Sequence, residues 1–109
     1  MPGNPAVLVV DDNVEHAEDL AEVLALEGLD VDYAAGGRAA IERLAARHYD
    51  LVVTDMRMPE VSGLDLLSHV KSTRPSAPVV VMTAFTREER LDEARARGAV
   101  AVFEKPIDL

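Results

Sequence analysis

Four short, mainly apolar runs and one short stretch interrupted by Asp32 divide the chain at regular intervals: Ala6-Val7-Leu8-Val9-Val10, Leu51 to Thr54, Val79 to Met82 and Val100 to Phe103, with Val31 to Ala34 as a further short strand. Continuous apolar runs of this length read as strands covered on both faces. Between them the period changes. After Asn13, a helix N-cap residue, Ala17, Leu20, Ala21 and Leu24 recur at i, i+3, i+4 and i+7, with Gly28 as a stop. Gly36-Gly37 turns into a second helix with Ala40, Ile41, Leu44 and Ala45 inward and Glu42, Arg43 and Arg47 outward. Gly63, Leu66, Leu67 and Val70 form a third stripe, closed by Arg74-Pro75. Arg87 to Arg97 is a fourth helix whose buried face is only Leu91 and Ala94. It carries the like-charge pairs Glu88/Asp92 and Glu89/Glu93, so it is expected to be the most loosely held. Strands alternating with helices predict a parallel sheet in one α/β domain.

Two of the runs end in acids. Asp11 and Asp12 follow the first strand, and Asp55 follows the third. In a parallel sheet these ends open on one edge, so three carboxylates converge there. Their mutual repulsion is best offset by a hard, oxygen-seeking cation such as Mg²⁺. Taken alone, Asp11-Asp12 would be read as a turn plus helix cap and Asp55 as a solvated loop acid, and it is the three acids together with Lys105 that favour the metal reading. Thr83 ends the fourth strand, and Lys105-Pro106 follows the fifth on the same edge, which favours a fixed role for each over a turn or surface residue.

Composition narrows the function. The chain has 109 residues, 49% of them hydrophobic, enough for one domain with a core of its own. A net charge of −9, with Lys71 and Lys105 the only lysines, argues against a nucleic-acid-binding face and points to protein partners. There is no cysteine, so disulfide and thiolate chemistry drop out. No segment has the length and polarity of a signal or membrane span, and the chain reads as soluble and cytoplasmic. His16, His48 and His69 lack metal-ligand spacing and fall on helical patterns as solvated residues. No glycine-rich phosphate loop follows the first strand, against dinucleotide or flavin binding.

The set Asp11-Asp12, Asp55-Met56-Arg57-Met58-Pro59 with Gly63, Thr83-Ala84 and Lys105-Pro106, each at a strand end, resembles the receiver domain of two-component response regulators. The resemblance covers almost the whole chain. It implies a flavodoxin-like, doubly wound five-stranded sheet of order 2-1-3-4-5 with its site outside the carboxyl ends of the strands. It further implies Mg²⁺ held by Asp11, Asp12, Asp55 and the backbone carbonyl of Arg57, with Asp12 the more direct ligand and Asp11 acting partly through water. Asp55 is then the phosphoacceptor, and Thr83, Ala84 and Lys105 contact the phosphoryl group. The Lys105-Pro106 bond is expected to be cis. Partners implied are a histidine kinase or histidine phosphotransfer protein and an output domain or effector. The result is a self-phosphorylating, slowly self-dephosphorylating switch rather than a turnover enzyme.

Two features depart from the family pattern. The position whose aromatic ring follows the threonine in the switch is Val102; Phe103 faces the other side of its strand, so the aromatic half of the switch is muted or replaced. The receiver over residues 1–109 also lacks most or all of a fifth helix, Ile107-Asp108-Leu109 reaching only its start; the chain is either part of a larger protein or a short regulator. That leaves the strands Val79 to Met82 and Val100 to Phe103 expected to be partly uncovered, with self-association or local rearrangement there. A Mg²⁺-dependent phosphohydrolase and an interaction module without chemistry are the alternatives. The first lacks a visible substrate pocket and general acid, and the second is disfavoured because the site residues are all present.

Overall fold

In the computed structural model, residues 4–83 and 88–104 are described, the side chains of 88–91 and 104 excepted. Strand β1 (Ala6–Val10) is followed by α1 (Val14–Leu26), β2 (Asp30–Ala34), α2 (Gly37–Ala46), β3 (Leu51–Asp55), α3 (Gly63–Thr73), β4 (Val79–Thr83), α4 (Glu88–Ala96) and β5 (Ala101–Glu104). All pairings are parallel and the strand order is β2-β1-β3-β4-β5. The fold is therefore the expected doubly wound sheet, with four helices among the described residues. No helix of the described residues is long and apolar enough to cross a membrane.

Strands β1, β3 and β4 read as largely apolar runs because alternate side chains feed two cores, whereas the edge strand β2 carries Asp30 and Asp32. Leu8, Val10, Val52, Val79 and Val81 face one way and pack with Ala40, Leu66, Leu67, Val70 and Ala94 from α2, α3 and α4. Val7, Val9, Val53 and Met82 face the other way and pack with Ala17, Leu20 and Leu24 of α1. Leu8, Leu66 and Leu67 are fully buried, each worth roughly 1.5–3 kcal/mol of burial.

One expectation needs correction and a second is met in part. Ala45 is exposed, not inward, because the stripe of α2 is narrow: Gly37 and Ala40 are buried, Ile41 and Leu44 half-buried, and Ala45 lies a further 100° round the helix. Strand β4 is covered on the face toward α3 and α4 and partly open on the other, where Val80 is half-buried, as expected. Val79 and Val81 lie in the core beneath α3 and α4, and Met82 packs beside Val53 in the core on the α1 side. Among described residues near the sheet's β5 edge, exposure of large apolar groups is confined to Phe103 and Val100, an ordinary amount for a protein surface. Helix α4, expected to be the most loosely held, buries Ala94 among its described side chains, and Arg97 just beyond it reaches α3, donating to the Leu64 carbonyl at 3.3 Å and the Ser68 hydroxyl at 3.2 Å. The expected role of Leu91 falls on a side chain outside the described set.

Candidate functional site

The end of β1 is prolonged by one residue: the Asp11 N–H donates to the Ala34 carbonyl at 3.1 Å, which fixes where the Asp11 side chain leaves the sheet. That carboxylate is almost wholly buried and accepts the Asn13 N–H at 3.0 Å. Asn13 in turn accepts the His16 N–H at 3.2 Å and so caps α1. Asp11 thus performs the modest turn role as well, but Asn13 is the cap, and Asp12 is left exposed at the mouth.

Asp55 is the last residue of β3, paired in register with Met82. The next residue continues the ladder, Met56 N–H donating to the Met82 carbonyl at 2.9 Å. Below it Gly63 opens α3 so close to the strand end that a Cβ there would meet the Asp55 carbonyl oxygen and lie 2.7 Å from Met56 Cα. Its N–H donates to the Met56 carbonyl at 2.8 Å. A glycine is required here for close approach rather than for dihedral freedom.

One oxygen from each of Asp11, Asp12 and Asp55 lies within 4.8 Å of the others. The three acids therefore meet between β1 and β3, where the strand order reverses, the usual ligand position in such sheets. A set of carboxylate oxygens, one of them on a buried residue, suits a hard divalent cation of the Mg²⁺ class rather than a thiophilic one. Thr83 ends β4 on the next strand over and is buried. Arg57 is exposed in the loop after Asp55. Val102 is half-buried against the core under α4 and in register with Val81, so it shares a sheet face with Thr83, while Phe103 lies on the other face. Ala84, Lys105 and the Lys105-Pro106 bond lie outside the described residues.

His16, expected on a solvated face, is exposed and stands beside the acids. His16 Nδ1 stands 3.9 Å from Asp11 Oδ2, on the first turn of α1.

The family described as the response regulator receiver domain matches residues 7–109. The chain is 39% identical over 105 residues to the transcriptional regulatory protein ZraR of Escherichia coli O157:H7, spanning 96% of this chain and 24% of that protein. Among solved structures, a response regulator receiver protein from Pseudomonas putida superposes with a TM-score of 0.92 at 33% identity, covering 99% of this chain and 91% of that one. A response regulator protein from Burkholderia pseudomallei, solved with a phosphorylated aspartic acid, calcium ion and citrate, gives a TM-score of 0.89 at 27% identity, covering 96% of this chain and 62% of that one.

Proposed function

This chain belongs to the response regulator receiver domain family, and on that footing we propose that it is a phosphorylation switch whose acceptor is Asp55. The observation that carries the reading is the convergence of Asp55 with Asp11 and Asp12 within 4.8 Å at the point where the sheet reverses its order. Asp11, Asp12, Asp55 and the Arg57 carbonyl would hold Mg²⁺. When bound, the cation neutralises charge on the phosphoryl oxygens during transfer. An Asp55 carboxylate oxygen attacks the phosphorus of a phosphohistidine in line; the P–O bond forms as the P–N bond breaks, and the imidazole leaves with the electron pair and takes up a proton. The Thr83 hydroxyl, the Ala84 N–H and the Lys105 ammonium donate to the phosphoryl oxygens of the product. Water later cleaves the acyl phosphate and restores Asp55, so the domain is a timed switch rather than a turnover enzyme.

The donor is a histidine kinase or histidine phosphotransfer protein of the cytoplasm. The chain spans between about a quarter and a half of the curated relatives' length, 24% of ZraR and 50% of PdtaR of Mycobacterium tuberculosis. An attached output domain or a separate effector would receive the signal. With Val102 in place of an aromatic residue, the Thr83 movement carries that signal without a ring following it. Intact mass after incubation with acetyl phosphate and Mg²⁺ tests the reading. A single phosphoryl adduct lasting minutes is expected. Multiple turnover of the donor would instead mark a phosphohydrolase, and no adduct an interaction module.

A further inference from the structure

The loop that follows Asp55 contains the strained backbone of the described residues. Glu60 is their one non-glycine residue with positive φ, at 64°. The N–H of Val61 donates to the Pro59 carbonyl at 2.7 Å, spanning two residues, so Pro59-Glu60-Val61 forms the uncommon γ-turn centred on a left-handed residue. Such geometry persists only where surroundings impose it. Here the surroundings are the first turn of α2. Arg38 donates through Nε at 3.0 Å to Glu60 Oε2, and its Nη2 lies 2.8 Å from the same oxygen. Beside it, Gly37 is buried against the loop: a Cβ there would stand 2.6 Å from Val61 Cβ and 2.7 Å from the Val61 carbonyl oxygen.

The start of α2 is a poor helix start by local rules. Its N-cap is Gly36, with no side-chain cap hydrogen bond, its first residue is a second glycine, and its first turn holds a cation and no acid. The helix dipole disfavours a cation at that end. Two elements that break local rules at the point where they touch indicate a contact kept for something other than helix stability.

We infer that the first turn of α2 is a positioning element for the phosphoacceptor loop, with Gly37 seating the Val61 backbone and Arg38 holding the Glu60 turn, so that together they set the path of Met56 to Pro59. The inner side of the same loop is set by Gly63 against Asp55 and Met56. Gripped from both sides, the loop has one path, and that path fixes where Asp55 and the Arg57 carbonyl point. This rests on the reading of Asp55 as acceptor. The steric contact carries more of the effect than the ion pair, because both partners of the pair are largely exposed and screened.

The test is the initial rate of adduct formation with acetyl phosphate, read by intact mass over a Mg²⁺ series, with folding followed by circular dichroism. Gly37→Ala is expected to slow phosphorylation roughly ten- to hundredfold and to weaken the Mg²⁺ dependence while the chain stays folded. Arg38→Glu, which suits the helix dipole and should fold well, is expected to slow the reaction about two- to fivefold at low salt. The charge swap Arg38→Glu with Glu60→Arg restores the rate at unchanged net charge. In about 1 M salt, where the screening length is about 3 Å, the Arg38→Glu defect fades and the Gly37→Ala defect persists. A folded Gly37→Ala chain reacting at the wild-type rate overturns the inference, as does a swap no faster than Arg38→Glu alone. If Gly37→Ala fails to fold, the swap decides. A wild-type chain that forms no adduct removes the acceptor reading itself, and the inference with it.

Discussion

At the carboxyl ends of β1 and β3, three aspartates bring oxygens within 4.8 Å of one another, whereas Asp30 and Asp32 on β2 place theirs on the guanidinium of Arg47. The second group is closed by the chain's own cation: Arg47 bonds both acids, lies 5.3 Å from the centre of the Tyr49 ring, and shares Asp32 with the Tyr49 hydroxyl. Its job is to tie the edge strand to the turn before β3. The first group gathers three negative charges at the ligand-binding edge of the sheet. Acids tied along one strand to one guanidinium hold structure, and acids converging on one point at the carboxyl ends of two strands suit a hard cation and chemistry.

The largest effect should come from breaking the closed group. Tyr49 is buried, and Tyr49→Phe removes its bond to the Asp32 carboxylate, so a loss of about 1–2 kcal/mol in urea unfolding is expected with phosphorylation untouched. A neutral result there would mean that the Asp32 group is surface decoration. At the three-aspartate group the sign should reverse. Asp12→Asn relieves repulsion and should raise metal-free stability by roughly 0.5 kcal/mol at low salt while weakening Mg²⁺ binding. Thermal melts with and without Mg²⁺ check this, and a lower metal-free melting temperature would erase the distinction between the two groups.

A smaller effect is expected in pH dependence. The Tyr49 hydrogen bond, helped by Arg47, holds the Asp32 carboxyl below its usual range. Stability from this group is present above the unfolded carboxylate range and is lost as pH falls through the lowered folded value. Burial first, and the bond to Asp32 second, push Tyr49 up to about 12. That contribution is complete below the ordinary tyrosine range near 10 and is lost as pH rises from there toward about 12. Both slopes should flatten in Tyr49→Phe, as read from urea midpoints across pH; slopes identical to wild type would contradict the assignment.

The ends of β1, β3 and β4 were legible in the sequence because the inner strands of a parallel sheet are buried on both faces and turn polar where they leave it. Asp11, Asp55 and Thr83 were found that way, along with the strand order that the resemblance implied. What stayed hidden were contacts between elements distant along the chain. Arg38 meets Glu60 across 22 residues and Tyr49 meets Asp32 across 17, and no period or motif marks either pair. Ala45 was misplaced because small residues suit both faces of a helix and carry little information about direction.

The central claim is that Asp55, among all the acids of this chain, accepts the phosphoryl group. Borohydride reduction converts an aspartyl phosphate to homoserine and so records the site covalently. After acetyl phosphate and Mg²⁺, peptide mapping of the reduced protein should place homoserine at position 55 alone, and Asp55→Asn should yield none. Homoserine at Asp11 or Asp12, or equal labelling of Asp55→Asn, would contradict the account.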